Sequence, residues 1–445
     1  MRKWWLLLVA AAVLIAAAGA AAVISWRSGA PRADSASPSA TPTPDPVRTP
    51  LLEGVAQEAP VPTAAGLLAA LHPGMSAPLI AGRLSVSIID VASGRPLLEI
   101  GAARPVVPAS TVKLVTAVAA LTALPPDQRL VTRVLAGAAG DVVLVGGGDP
   151  TLLAPGERAG YPGRARLVDL ASQVQRLKQP VRRVLVDDSL FSGPRLGPGW
   201  KPIYVSDGDV APVSALELHG QAPPDPAIDA GRKLAALLHV TAPVTRGTAP
   251  AQARELARVS SPTVAELVEL MLATSDNDLA EALGRQLALA AKQPPTFAGE
   301  VAAIGSALQP VLTSAGLAQQ TVDLHDASGL SPLDHVQPAA LSRLLALAAR
   351  DGRYGPLLSG LPVAGFDGTL ADRYRKGPGV LAAGQVRAKT GTLTGVSALA
   401  GLVRTRAGRL LAFDVTANGL PEKGAGKAPA DLDAIAAALA GCGCP

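Results

Sequence analysis

The feature that most constrains this 445-residue chain is a serine and a lysine three residues apart at the head of an apolar, alanine-rich helix, Pro108-Ala109-Ser110-Thr111-Val112-Lys113-Leu114. Side chains at i and i+3 share a helix face, so the Lys113 amine reaches the Ser110 hydroxyl and can take its proton. Pro108 fits just ahead of a helix, Ser110 can cap orphan amides, and Leu114, Val118 and Leu121 make one apolar stripe. The helix dipole favours negative charge near Ser110, which suits an alkoxide or a tetrahedral oxyanion. Taken alone, the same pair also reads as a helix cap beside a surface lysine.

Two later stretches decide between these readings. Ser275-Asp276-Asn277 lies between two helical patterns, and Lys389-Thr390-Gly391-Thr392 lies on a strand running into a hairpin. S-x-x-K, S-x-N and K-T-G thus each occur once and in that order, in a chain whose only asparagines are Asn277 and Asn418. That ordered set is the one shared by penicillin-binding proteins and serine β-lactamases.

The length allows two or three domains, and with few aromatics the core volume must come from Leu, Val, Ile and Ala. The net charge of +5 is scattered, without a basic run, so nucleic-acid binding is not supported. From Leu6 to Ser25 no residue is charged, and Trp4-Trp5 and Trp26 flank the run at interface positions. That length spans a bilayer and reads as an uncleaved anchor; a cleaved signal peptide is the rival, with small residues at Ala18-Gly19-Ala20. Either way, the remainder is expected outside the cytoplasm, at the cell membrane or in the wall space. The stretch from Arg27 to about Thr63 is rich in Pro, Ser and Thr and cannot bury a core. As polyproline II it reaches on the order of 100 Å. Cys442 and Cys444, two residues apart, close almost no loop, so the fold cannot depend on them.

Alternation around Ser93-Gly94 predicts a hairpin from Leu84 to Ile100. Strands at Gln385–Leu393, Val396–Thr405 and Arg409–Thr416 join it in a five-stranded antiparallel sheet, and a last helix covers Asp431–Ala440. Between the first two motifs, strands near 130–134, 142–145 and 183–187 and helices near 164–178 and 227–238 make an α/β insert. Ser261-Pro262 reads as cap and first residue of the helix leading to Ser275, and Asp278 with Glu281 as the capping pair of the next. Gly146-Gly147-Gly148 lacks the following Lys and Ser/Thr of a phosphate loop and is read as a turn. His325, Asp326, Asp334 and His335 lack metal-ligand spacing. No metal or cofactor is expected.

The chain resembles the low-molecular-mass class C penicillin-binding proteins, the D-alanyl-D-alanine carboxypeptidase/endopeptidase family. Beyond the three motifs, Val145–Leu152, Ala211–Leu216, Asp326-Ala327-Ser328-Gly329-Leu330-Ser331 and Gly365-Phe366-Asp367-Gly368-Thr369-Leu370 share the family's texture. The resemblance implies an α+β fold of the penicillin-binding/serine β-lactamase-like transpeptidase type, with residues 64–127 and 256–445 catalytic, 128–255 inserted, 28–63 a disordered linker and 1–27 the anchor or signal. It further implies Ser110 as nucleophile, Lys113 as base, Ser275 as proton relay, Asn277 as orienter and Lys389 as the source of positive potential. Thr390 and Thr392 would hold the substrate carboxylate, Gly391 would allow close approach, and the amides of Ser110 and Thr392 would form the oxyanion hole. Peptidoglycan stem peptides are the implied substrates and β-lactams the implied covalent inhibitors. On a regular strand Lys389 and Thr390 point to opposite faces, so both can serve only if that strand is an edge. A serine β-lactamase is the near alternative, but Glu281 and Glu300, the only glutamates between the second and third motifs, have no asparagine close behind them. A non-catalytic β-lactam or wall-binding sensor is the alternative from another class.

Overall fold

The computed structural model describes residues 59–444. The predicted anchor, and the linker as far as residue 58, lie outside the described residues; no helix among those described is long and apolar enough to cross a membrane. Residues 59–63, read above as linker, lie on the folded body, where the Ala59 carbonyl accepts from Arg409 Nη1 at 3.2 Å.

The described residues open with α1 (Ala64–Met75), capped by the Thr63 hydroxyl, which accepts the Gly66 N–H at 3.1 Å. A hairpin of β1 (Leu84–Asp90) and β2 (Pro96–Ile100) follows, and then α2 (Val112–Ala123). The chain next builds a second sheet. Its elements are β3 (Arg129–Ala136), β4 (Val142–Val145), α3 (Leu167–Arg176), β5 (Val184–Asp187), the short α4 (Ile203–Ser206), α5 (Pro226–Leu237), β6 (Thr245–Arg246) and β7 (Glu255–Thr263). Their order in the sheet is β6-β5-β4-β3-β7. β4, β5 and β6 run parallel because α3 and α5 supply the crossovers that parallel neighbours need. Leu144, Leu170, Val174, Val186 and Leu234 form the core of this insert.

The return from the insert differs from expectation. β7 pairs antiparallel with β3 and so belongs to the second sheet, which places the strand from 256 onward in the insert rather than in the catalytic part. Ser261 and Pro262 are strand residues, not a helix start: the Ser261 hydroxyl accepts from Leu130 N at 2.9 Å and donates to Pro262 O at 2.6 Å. The cap of α6 (Val264–Thr274) is Thr263, in a reciprocal box with Glu266. Then come α7 (Asn277–Ala290), α8 (Phe297–Ser314), the two-residue strands β8 (Val322–Asp323) and β9 (His335–Val336), α9 (Pro338–Ala348) and α10 (Gly355–Gly360). The chain finishes with β10 (Val386–Leu393), β11 (Val396–Arg404), β12 (Leu410–Asn418) and α11 (Ala428–Gly441). Cys442 and Cys444 are bridged immediately after α11.

The first sheet is the expected five-stranded antiparallel one, in the order β10-β11-β12-β1-β2, so the early hairpin docks on the last strand. Both faces are buried, and the alternation on its strands feeds two cores. Ile89, Ala400, Leu402 and Ala412 face α2, α6, α7 and α9, while Val86, Ile88, Leu399, Phe413 and Val415 face α1 and α11. α2 is buried on every side from Val112 to Leu121, rather than along a single stripe. Its alanines 117, 119 and 120 let neighbours close on it from all round.

The β1 and β12 pairing is closed by a buried ion pair. Arg409 Nε and Nη2 donate to Asp90 at 2.5 and 2.7 Å, with the Asp90 side chain fully enclosed. Burial raises the Asp90 pKa, but hydrogen bonds from Arg409 and then Ser93 outweigh it and hold the carboxyl below its usual range. The pair therefore contributes stability above the unfolded carboxylate pKa, which is lost as pH falls through the folded value. Replacing Arg409 by alanine strands a buried carboxylate, and urea unfolding at pH 7 is expected to show a loss of about 3–5 kcal/mol. A loss under about 1 kcal/mol, the range of an exposed pair, would contradict this account.

Candidate active site

The site begins with a departure from helical geometry. Ala109–Thr111 form a single 3-10 turn, the helix proper starts only at Val112, and no side chain caps its first amides, so Ser110 is not the predicted cap. Ala109 sits at φ +50°, a left-handed conformation that costs a non-glycine residue roughly 1–2 kcal/mol. Thr111 Oγ1, donating to Pro108 O at 2.8 Å, holds the turn. Ser110 is thereby set half-buried ahead of α2, with Lys113 one turn below it.

Lys113 is fully buried. Its Nζ lies 3.2 Å from Ser110 Oγ, 2.6 Å from Asn277 Oδ1 and 2.8 Å from the Ser328 carbonyl. Burial pushes its pKa down from 10.5 to about 8, against the opposing charges of Asp326, Glu281, Asp276 and Asp278.

Ser275 ends α6 in a left-handed conformation, φ +61°, and Asn277 opens α7 one residue beyond Asp276. Asp276, and not the predicted Asp278 and Glu281 pair, caps α7 by accepting Leu279 N–H at 2.9 Å. The other two acids point inward. Asp278 accepts Ala211 N–H at 2.7 Å and Glu281 accepts Ala327 N–H at 3.2 Å. Burial first, then the charge of Asp276, raises Asp278 to about 7. Asn277 bridges two parts of the chain, because its Nδ2 donates to the Asp209 carbonyl of the insert at 2.8 Å while its Oδ1 meets Lys113.

β10 is an edge strand, as its double role requires. Lys389 points inward, fully buried, and donates to Ser275 Oγ and to the Thr390 carbonyl, both at 2.8 Å. Burial and then the charge of Lys113 push its pKa well below the normal lysine value, so the two amines are neighbours. Thr390 is half-buried and its hydroxyl donates to Thr369 Oγ1 at 3.0 Å; Thr392 is exposed. A Cβ at Gly391 would lie 2.8 Å from Pro108 O and 3.3 Å from the Ala109 Cβ, so the strand runs against the turn that carries Ser110. Residues from all three motifs therefore share one site. Its groups are a hydroxyl beside a desolvated amine, a second serine and amine pair, and an edge strand able to present hydroxyls and amides to a substrate.

The model of the D-Ala-D-Ala carboxypeptidase 3 (S13) family matches this chain over residues 70–224 and 218–439. The chain belongs to this family. It is 39% identical over 440 residues to a carboxypeptidase of Mycobacterium tuberculosis, covering 94% of this chain and 92% of that one. It is 38% identical over 433 residues to the carboxypeptidase DacB of Mycolicibacterium smegmatis, covering 92% and 91%. The fold is that of penicillin binding protein 4 of Haemophilus influenzae, with TM-score 0.67 at 21% identity, covering 84% of this chain and 97% of that one.

Several groups at the site of this S13-family chain fall outside the three motifs. The Ser328 carbonyl and Thr369 belong to segments whose texture stands out in the sequence, although nothing in it says that a main-chain oxygen would meet Lys113. The Asp209 carbonyl has no sequence signal at all. Of the histidine and aspartate group, Asp334 accepts His325 N–H at 2.6 Å, while Asp326 binds the 326–331 loop. The glycines at 146–148 also act structurally, since Gln286 Nε2 on α7 donates to the Gly147 carbonyl at 3.0 Å. The contact of β10 with the Ser110 turn leaves no room for a methyl group. Gly391→Ala is expected to slow covalent labelling of Ser110 by an acylating inhibitor about 100-fold while the protein still melts cooperatively. Labelling at the wild-type rate would show that the strand need not lie this close.

Proposed function

We propose that this chain is a serine-type D-Ala-D-Ala carboxypeptidase/endopeptidase acting on peptidoglycan stem peptides through an acyl-enzyme on Ser110. The observation that carries the reading is the 3.2 Å approach of a fully buried lysine amine, with its pKa brought to about 8, to the Ser110 hydroxyl. Lys113 in its neutral form takes the hydroxyl proton as Ser110 Oγ attacks the carbonyl of the penultimate D-alanine. The amides of Ser110 and Thr392 receive the developing oxyanion, because β10 runs against the Ser110 turn. As the C–N bond breaks, the leaving amine takes a proton relayed through Ser275, to which Lys389 donates. Water then hydrolyses the ester and frees Ser110. Thr390 and Thr392 hold the terminal carboxylate of the substrate in the positive potential of Lys389, and Asn277 keeps Lys113 and the substrate amide in place. A β-lactam offers the same carbonyl in a strained ring and leaves a slowly hydrolysed acyl-enzyme. The segment Leu6–Ser25 would deliver the enzyme to the outer face of the cell membrane, or to the wall space if it is removed.

Incubation with benzylpenicillin is expected to give a one-to-one adduct by intact mass on the wild type and none on Ser110→Ala. Labelling that survives the substitution would move the nucleophile elsewhere, and rapid loss of the adduct with penicillin turnover would favour the β-lactamase reading. Release of D-alanine from a peptide ending in D-Ala-D-Ala separates an enzyme from a sensor. Because the base must be neutral, about a tenth of Lys113 is active at pH 7 and about nine-tenths at pH 9, so the acylation rate should rise with pH and reach half its plateau near the pKa of about 8. Membrane fractionation of cells expressing the chain with and without residues 1–27 tests the location. Equal recovery of both forms in the cytosol would refute it.

A further inference from the structure

A neutral amine has two N–H bonds and one lone pair, and Lys113 Nζ has three oxygen neighbours. If the N–H bonds point to Asn277 Oδ1 at 2.6 Å and to the Ser328 carbonyl at 2.8 Å, the lone pair is left for Ser110 Oγ at 3.2 Å. The aim of the base therefore depends on where the Ser328 carbonyl is held. That carbonyl lies on a loop outside all three motifs.

The loop closes around one carboxylate. Asp326 is fully buried; its Oδ1 accepts from the amides of Ser328 and Gly329 at 3.1 and 2.6 Å, and its Oδ2 from Ser331 N and Trp200 Nε1, both at 2.7 Å. Three of these donors belong to the loop and the fourth to the insert. The loop is also pressed on the nucleophile's turn, since a Cβ at Gly329 would lie 2.1 Å from the Ala109 carbonyl. On the far side, Thr116 Oγ1 of α2 donates to the Ala327 carbonyl at 2.6 Å.

We propose that Asp326 is a positioning residue for acylation: its carboxylate fixes the loop so that the Ser328 carbonyl turns the lone pair of Lys113 toward Ser110. The proposal rests on the assignment of Ser110 and Lys113 made above, and Asp326 itself touches no reacting atom. A second consequence of the same carboxylate runs the other way. Asp326, then Glu281, Asp276 and Asp278, hold the Lys113 pKa up, while burial and then Lys113 push the pKa of the Lys389 amine well below the usual lysine value. Asp334 packs near Asp326, and burial and then the charge of Asp326 raise its pKa well above the usual carboxylate range, with His325 N–H on its Oδ1. Tyr204 also feels that charge, after its own burial and Asp209. Loss of the Asp326 charge alone would make Lys113 neutral at lower pH and leave the plateau rate intact. Loss of the anchor lowers the plateau.

Asp326→Asn separates the two effects, because an amide keeps the shape but turns an NH2 group toward two of the four donors. The probe is benzylpenicillin, and the readout is the second-order acylation rate of the full chain across about pH 5–10. The expected result is a plateau about 100-fold below wild type with the midpoint moved to lower pH and a cooperative melt retained. A folded Asp326→Asn protein that reaches the wild-type plateau overturns the proposal, wherever its midpoint lies. Should that variant fail to fold, Trp200→Phe decides, since it removes one donor and keeps the charge. Its plateau should fall about fivefold with an unmoved midpoint, and a wild-type plateau counts against the anchor. Absence of any Ser110 adduct on the wild type would instead overturn the active-site assignment, and this inference with it.

Discussion

Removing the Lys113 ammonium from water is the constraint on which the rest of the site depends. A lysine in solvent is protonated at neutral pH and cannot accept a proton. Burial inside α2, which is enclosed from Val112 to Leu121, brings this one to about 8. Deeper isolation would be costly, since an unpaired buried charge is expensive. The surrounding carboxylates and the oxygens of Asn277 and Ser328 moderate the cost and give the amine a direction. The balance leaves a group that is neutral for part of the time near physiological pH and still oriented.

The second constraint is that the insert forms part of the site's wall. The Asp209 carbonyl takes the Asn277 amide, Ala211 N–H goes to Asp278, and the Trp200 indole goes to Asp326. Around these contacts Trp200, Val210, Val213, Phe297 and Leu330 form a small apolar cluster. Such a cluster excludes water from the polar bonds it surrounds and so strengthens them. The insert's own sheet supplies a rigid frame for these donors and acceptors, which a loose loop of the same length would not.

Legibility followed the range of the interactions. The Ser110 and Lys113 pair was readable because both lie within one turn, and the sheet because alternation and turn residues act locally. Ser261-Pro262 has the local pattern of a cap and first-turn pair, yet both residues fall within β7, alongside β3, and the cap of α6 passes to Thr263. The cap of α7 departs from the local pattern for the opposite reason. Asp278 and Glu281 suit a helix surface, but tertiary contacts drew them inward to Ala211 and Ala327. The left-handed conformations of Ala109 and Ser275 are imposed from outside, since neither residue prefers them.

The sequence by itself determined which chemical groups are present, their order, and the alternation that makes a twofold-buried sheet, because these depend on residue type and near neighbours. It did not determine that Asn277 would meet an amine 164 residues away, or that a main-chain oxygen of the 326–331 loop would complete that amine's surroundings. Nor did it set how far the amine would be stripped of water. Those were decided by tertiary packing, because desolvation and the direction of a lone pair depend on every segment that closes over the site, and no single segment encodes them.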